Sequence, residues 1–582
     1  MAVNLQRRTA NTDLELPATL HPLIRRVYSQ RSVKRVEDLQ LGLDNLLPPD
    51  LLKGMDQAVQ LLVDCLQGQK RILIVSDFDA DGATSCVLAI NALIACGAKH
   101  VEYIVPNRFE YGYGLTPEIV EIAKALEPHL IITVDNGISS IEGVDAAKQS
   151  GIQVLITDHH LPADQLPAAD AIVNPNQLGC EFPSKCIAGV GVIFYVMLAL
   201  RAHLRDIGWF DEMRIEVPNM ADLLDLVALG TVADVVPLDR NNRILVDEGL
   251  KRIRVGRTRA GVLALLELAK RKPHRLTAGD LGFSVGPRLN AAGRLDDMST
   301  GIECLLADRA GSAYELALQL DSMNQDRKQI EADMRDQAFQ SLDELVLEED
   351  SLPAALCLFD ARWHQGVVGI LASRIKDKFH RPVIAFAEVS DSSTEKMQLK
   401  GSARSIKGFH IRDALDAVAS HHPGLVTKFG GHAMAAGLSL EKDRLDEFRQ
   451  AFEAEAARLL SEETLQAKLL SDGQVQADWF SMETAVELAG AGPWGQEFPE
   501  PVFDGRFKLV QHRRVGERHL KMVLSPVEAP QRIIDAIAFN VDEAQWPTDH
   551  TNEIEIAYRM EINEFRGNQT LQLMVEHILA LY

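Results

Sequence analysis

Cysteine is scarce: seven residues, an odd number with no CxxC pair, which fits scattered thiols in a reducing compartment better than a disulfide framework or a zinc site. Cys180 and Cys186, the closest pair, read as structural. No apolar run reaches the ~18 to 20 residues a membrane-spanning helix needs, so the uncharged stretch Cys186 to Leu200 reads as a buried core helix. Met-Ala-Val-Asn-Leu-Gln-Arg-Arg is followed by polar residues and not by an apolar segment, so no secretory signal is expected and the cytosol is the expected location. Low-complexity tracts are missing too, and 46% hydrophobic, 25% charged and 6% aromatic residues describe an ordinary globular chain. An excess of basic charge is also lacking. The net charge of −23 repels phosphate and excludes indiscriminate binding to nucleic acid.

At 582 residues the chain should hold three or four domains, at ~100 to 200 residues each. From Arg71 short apolar runs alternate with helical ones: Ile72 to Val75, then Ala83 to Cys96; Val101 to Val105, then Pro117 to Leu126; Leu130 to Val134, a helix ending near Gly151, then Ile152 to Ile156. This spacing predicts a parallel sheet covered on both faces, with ligands beyond the carboxyl ends of its strands. Ala310 to Leu342 has no Pro and predicts a long connecting helix. Its acidic continuation, Asp343 to Asp350, meets Pro353 and a fresh run, Ala354 to Phe359, the expected first strand of a second α/β domain ending near Leu460. Five strand candidates follow, Phe507 to Gln511, Lys521 to Leu524, Ile533 to Phe539, Ile554 to Ile562 and Thr570 to Val575. They predict a small β-barrel such as an OB-fold, although a sandwich would show the same pattern.

The first strand runs into Asp77-Phe78-Asp79-Ala80-Asp81-Gly82. Three alternating carboxylates at a strand end are costly without a cation, though an exposed acidic turn or a helix N-cap is the alternative. A calcium loop is excluded, because position 88, where that loop requires Glu, is Leu88. The arrangement repeats. Leu130 to Val134 ends in Asp135-Asn136-Gly137, Ile152 to Ile156 leads through Thr157 to Asp158-His159-His160, and Asp234 closes Gly230-Thr231-Val232-Ala233-Asp234. Carboxylates with imidazole suit Mn²⁺ or Mg²⁺ better than zinc, and two such ions ~3.5 to 4 Å apart can bridge a phosphate and stabilise both attacking and leaving oxygens. Basic residues are gathered at Arg362, Arg374, Lys376, Lys378, Arg381, Lys400, Arg404, Lys407, Arg412 and Lys428, as a nucleic-acid face or a solvated one.

Asp77 to Gly82, Asp135-Asn136-Gly137 and Asp158-His159-His160 resemble the successive motifs of the DHH phosphoesterase superfamily. Gly286-Pro287-Arg288-Leu289-Asn290-Ala291-Ala292-Gly293-Arg294 resembles the linker-side motif of its RecJ branch. Trp363 to Ile370, Gly401-Ser402-Ala403-Arg404 and Gly430-Gly431-His432 resemble the associated second domain. The resemblance implies an N-terminal helical extension (1–60), a DHH domain (61–305), a connecting helix (306–345), a DHHA1-like nucleic-acid-binding domain (346–462) and an OB-fold (463–582). It implies Asp79, Asp81, Asp135, His159 and Asp234 as ligands of two Mn²⁺ or Mg²⁺ ions, with Asp135 bridging. His160 would sit against the metals or the scissile phosphate, and Asp77 and Asp158 would support from behind or, for Asp158, bind metal directly.

Arg288, Asn290, Arg294, His364, Arg374, Ser402, Arg404, Gly430, Gly431 and His432 are candidate DNA contacts, since close backbone approach and charge-assisted hydrogen bonds suit phosphate. Trp494, Phe503, Phe507, Lys508 and Arg513 are weighed as barrel contacts against a reading as core or plain surface. The implied reaction is hydrolysis of single-stranded DNA in a channel between the two α/β domains, 5′ to 3′, releasing nucleoside 5′-monophosphates. Recombination and mismatch repair, single-strand-binding protein and a helicase are the implied setting. Two rivals remain: a DHH phosphodiesterase of short oligonucleotides, whose relatives typically lack the barrel, and a non-catalytic DNA-binding scaffold of the replication fork.

Overall fold

In the computed structural model, residues 4–107, 114–349, 352–389, 397–516, 518–541, 545–548, 550–565 and 567–582 are described, with 343–349 and 565 described by backbone alone. The chain forms two compact units, one of residues 7–322 with 471–582, the other essentially 323–470.

The larger unit is built on a five-stranded, all-parallel sheet in the order Val101–Ile104, Ile72–Ser76, Leu130–Val134, Gln153–Thr157 and Ala171–Val173. Every residue of Ile72–Ser76 and Leu130–Val134 is buried, as strands covered by helices on both faces must be. The last strand, only three residues long, is too short to announce itself by periodicity. Because all five strands run the same way, their carboxyl ends open on one edge, and the acidic motifs leave the sheet there.

The barrel in the same unit is closed, in the order Phe503–Val515, His519–Pro526, Ile534–Ala538, Asn568–Leu581, Glu553–Phe565, so no strand edge is left open. Glu564, near the tip of its long hairpin, pairs with Lys272 at 2.6 Å and with Arg275, both in the α/β part of the unit. Asp472, just ahead of the barrel, is fully buried against Arg31 at 2.5 Å and accepts from the Val502 N–H. Phe503 and Phe507 are 0% and 2% exposed and belong to the barrel core, Trp494 stacks on Phe498, and Lys508 and Arg513 are on the surface.

The smaller unit carries a five-stranded mixed sheet, Lys428–Gly431, Ala435–Glu441, Gln398–Arg404, Val383–Val389, Leu356–Phe359, in which only the last two pair in parallel. Helices Ile411–His421 and Leu445–Leu459 cover one face, packing Leu415, Phe448 and Phe452 on Phe386 and Leu438. The expected long helix is present as Ala310–Glu349, starting in the larger unit and ending in the smaller; Asp350, the end of the acidic run, lies outside the described residues. Among the described residues no helix is long and apolar enough to cross a membrane.

Candidate metal centre

Four strand or helix ends deliver acids to one point. Ile72–Ser76 ends in Asp77, whose Oδ1 accepts from the Phe78 N–H at 2.7 Å. Asp79 is the N-cap of helix Ala80–Ala95, its Oδ1 accepting from the N–H of Asp81 at 2.9 Å and of Gly82 at 3.0 Å, which leaves Oδ2 available. Asp81, 1% exposed, accepts from Gly189 at 2.7 Å and Val190 at 2.9 Å. These are the first donors of helix Gly189–Asp206, where aligned peptide dipoles favour negative charge. Gly189 has a second duty, since a Cβ there would stand 2.5 Å from Asp135 Oδ1.

Asp135 takes a left-handed backbone, φ 62°, a conformation that side chains short and polar like Asp tolerate and one that recurs at functional sites. The turn is pinned by the Asp135 N–H on Thr157 O at 3.0 Å and by the buried Asn136 amide, which donates to the carbonyls of Val75 and Val134. Asp158 is fully buried and works locally: Oδ1 accepts from the N–H of His159 and His160 and lies 2.8 Å from His160 Nδ1, while Oδ2 accepts from Ile138. That bond fixes the His160 ring and directs Nε2 elsewhere. His159 Nε2 lies 3.1 Å from Asp135 Oδ1 and 3.5 Å from Asp234 Oδ2. Asp234 is the C-cap of helix Leu224–Ala233.

The structure thus brings together Asp77, Asp79, Asp81, Asp135, His159, His160 and Asp234. Their donor atoms form three trios, each within 4.8 Å: Asp135, His159, His160; Asp81, His159, Asp234; and Asp77, Asp79, Asp135. Asp135 and His159 each belong to two of them. The electrostatics follow from the crowding. Burial, then the charge of Asp79, holds Asp77 well above the ordinary carboxylate range and pushes Asp81 up to about 7. Burial followed by Asp81 raises Asp135 and Asp234 as well. Burial opposes ionisation of both members of the Asp158–His160 pair, but their mutual bond outweighs it, holding Asp158 low and pushing His160 up to about 9. Asp77, Asp81, Asp135 and Asp234, resisting ionisation together, mark a site short of positive charge.

Two asparagines hold the histidine loop and escaped the sequence reading. Asn174 donates to His160 O at 2.9 Å and Asn176 to His159 O at 2.6 Å. Their signal was the Asn-Pro-Asn string after the short strand Ala171–Val173, a turn signature without an evident partner.

The candidate phosphate contacts fall elsewhere and are in several cases engaged. In the larger unit Arg288 pairs with Asp321 at 2.8 Å and donates to Ser284 O, and Asn290 Oδ1 accepts from the Ala80 N–H at 2.7 Å. Arg294 is half-buried on the same helix, Gly286–Leu295. In the smaller unit Arg374 pairs with Glu331 at 3.0 Å. Arg404 donates to Ser402 Oγ at 3.0 Å and to Ala403 O at 2.8 Å, both neutral. His364 Nδ1 accepts from the Gly366 N–H just ahead of helix Val368–Phe379, on which a Cβ at Gly369 would stand 2.8 Å from Arg404 and 2.9 Å from Ser402. Arg404 is the register partner of Ala435, whose carbonyl accepts from the His432 N–H at 2.8 Å, beyond Gly430 and Gly431 on the edge strand. Ser402, Arg404 and Gly430 to His432 therefore gather at one end of this sheet.

Comparison with known proteins covers the whole of this architecture. The sequence model of the DHH family, N-terminal domain, matches residues 71–231, that of the DHHA1 domain 352–458, and that of the RecJ OB domain 471–577. The chain is 55% identical over 577 residues to the single-stranded-DNA-specific exonuclease RecJ of Salmonella typhimurium, covering 99% of each. It is similar to the crystal structure of RecJ in complex with Mn²⁺ from Thermus thermophilus, with TM-score 0.77 and 29% identity over 96% of this chain and 76% of that one. The complex of that protein with Mg²⁺ gives TM-score 0.72 and 27% identity over 96% and 74%. With three domain models in order, more than half the residues shared end to end and the same fold beneath them, the chain belongs to the RecJ family of single-stranded-DNA-specific exonucleases.

Proposed function

We propose that this chain is a metal-dependent exodeoxyribonuclease that hydrolyses single-stranded DNA from the 5′ end, releasing nucleoside 5′-monophosphates, and that it acts in recombination and repair. The observation that carries the reading is the set of three overlapping donor trios sharing Asp135 and His159. Their chemistry fits Mn²⁺ or Mg²⁺: hard carboxylate oxygens with imidazole, and no thiolate. Asp79, Asp81, Asp135, His159 and Asp234 would hold two ions, with Asp135 offering its carboxylate to two of the three trios. Asp77 offers a further oxygen to the same cluster. When bound, the ions polarise the scissile phosphate, activate the attacking water and stabilise the leaving oxygen.

The protein's own part is positioning. Backbone donors from Phe78, Asp81, Gly82, Gly189 and Val190 orient three of the carboxylates before any cation arrives. Asp158 holds the His160 ring beside Asp135 and His159, where, protonated, it can donate to a phosphate oxygen. In the smaller unit, Arg404 is the best supported phosphate contact, because no carboxylate among the described residues pairs with it and burial lowers its pKa for want of a counter-charge. Ser402 accepts from it, and His432 follows the edge strand whose neighbour pairs with Arg404. We assign 61–305, 346–462 and 463–582 as the DHH, DHHA1-like and OB domains, joined by the 306–345 helix, after the 1–60 extension. Single-strand-binding protein, a helicase and a cytosolic location complete the reading. The barrel, matched as a RecJ OB domain, speaks against the oligonucleotide phosphodiesterase, and the intact acid cluster against the scaffold.

The test uses single strands labelled at the 5′ or the 3′ end, with Mn²⁺, Mg²⁺ or chelator, and wild type beside Asp135→Ala. Mononucleotides should appear from the 5′ end only, and both chelator and substitution should abolish them. Cleavage that survives Asp135→Ala removes that residue from the centre, and release from the 3′ end reverses the polarity.

A further inference from the structure

Helix Ala80–Ala95 starts within the metal loop, so the backbone donors of its first turn must be satisfied without disturbing Asp79 or Asp81. The Asp79 side chain takes the N–H groups of Asp81 and Gly82, the second and third helical residues that an N-cap reaches. The N–H of Ala80 is left over. It is taken up from 210 positions further along the chain, where Asn290 Oδ1 accepts it at 2.7 Å. One turn beyond Asn290 on helix Gly286–Leu295, Gly293 lies so close to the Phe78 carbonyl that a Cβ would overlap the oxygen. One helix therefore grips the loop at Phe78 and at Ala80, the two residues flanking Asp79.

We propose that Asn290 is a positioning residue of the metal centre, holding Asp79 and Asp81 in register for the cation, and is not a DNA contact. The inference rests on the metal reading given above. Its amide oxygen is committed to the loop backbone, and that bond lies directly behind two candidate ligands, where loss of an outer partner typically weakens metal binding about tenfold or more. Gly293 makes the same helix a wall that Phe78 cannot retreat from. The sequence Gly-Pro-Arg-Leu-Asn-Ala-Ala-Gly-Arg thus has two faces of different use, Asn290 and Gly293 toward the loop, and Arg288 toward Ser284 and Asp321.

The experiment is a calorimetric titration of Mn²⁺ into full-length wild type, Asn290→Leu, Asn290→Asp and Asp135→Ala, with kcat and KM on single-stranded DNA at saturating Mn²⁺. Asn290→Leu, similar in size but without an acceptor, should bind Mn²⁺ about tenfold more weakly with KM for DNA unchanged. Asn290→Asp, which keeps an oxygen in place, should recover most of the affinity. Should the Leu variant not fold, Asn290→Ser carries the same loss. Wild-type Mn²⁺ affinity in Asn290→Leu with a raised KM would make Asn290 a DNA contact, and failure of Asn290→Asp to recover affinity would show that the acceptor is not what matters; either overturns the proposal while Asp135→Ala still loses the metal. If Asp135→Ala binds Mn²⁺ as wild type does, the metal reading itself falls and this inference with it.

Discussion

The carboxyl edge of the parallel sheet and the Arg404 end of the mixed sheet handle charge in opposite ways. At the first, five carboxylates and two imidazoles converge, acids lying within reach both of imidazoles and of one another. At the second, Arg404 finds only neutral acceptors, whereas Arg374 in the same unit already has its carboxylate. A buried excess of negative charge, braced by backbone donors, calls for a counter-charge from outside, so its function can be read from residue type and spacing. A basic residue on a sheet end can serve a neighbour or a phosphate equally well, and only its partners tell which.

The sharpest challenge to this contrast is Gly189→Ala, which adds one methyl group against Asp135 while leaving every charge in place. If geometry at the acid edge is as constrained as described, kcat should fall about a hundredfold, the scale of an ångström misplacement in a catalytic constellation, with a parallel loss of Mn²⁺ affinity in titration. Near wild-type turnover would show a pliable edge.

Next in size is a pH effect. Asp81 is held at about 7 by burial, then by Asp79, against an ordinary carboxylate value of about 4, so the metal-free site keeps a proton there. The sign is that of a raised acid: its contribution to stability is complete below about 4 and is lost as pH rises through about 7. Binding a dication expels that proton, so Mn²⁺ affinity should rise with pH through this range, by roughly tenfold per unit for each proton released. Calorimetry in buffers of different ionisation enthalpy counts the protons directly. An affinity flat between pH 5 and 7, in steps of ~1 unit, would mean that the acids are ionised without metal.

The smallest effects discriminate within the basic end. Arg404→Ala should raise KM for single-stranded DNA roughly tenfold, the worth of one charge-assisted hydrogen bond, with kcat little changed. Arg374→Ala, an exposed arginine already paired to Glu331, should change KM by less than about threefold. Equal effects would erase the distinction drawn from their partners.

The strands and the acids were legible early because alternation of apolar runs with helices is a long-range pattern, and because Asp at a strand end repeats three times. The five barrel strands were legible for the same reason, although closure into a barrel and not a sandwich depends on the pairing of Ile534–Ala538 with Asn568–Leu581, which no local pattern encodes. What could not be read was who holds whom. Asn290 was grouped with Arg288 and Arg294 as a candidate phosphate contact, while the N–H its Oδ1 accepts, that of Ala80, lies 210 positions away in sequence. Gly189, Asn174 and Asn176 carry no charge and no metal-binding chemistry, so their service to Asp135, His159 and His160 exists only in three dimensions. Asp77, expected behind the ligands, is grouped by its oxygen with Asp79 and Asp135.

The buried pairing of Arg31 with Asp472 makes the two ends of the larger unit interdependent. Arg31 leaves the ribosome 441 positions before its partner, which at typical translation rates is a wait of roughly 20 to 90 s. Through that interval the guanidinium has no carboxylate to meet, and a fragment cut after residue 31, or a barrel produced alone from residue 471, would carry an uncompensated charge costing about 3 to 5 kcal/mol. A truncation that removes both segments together leaves neither Arg31 nor Asp472 without the other.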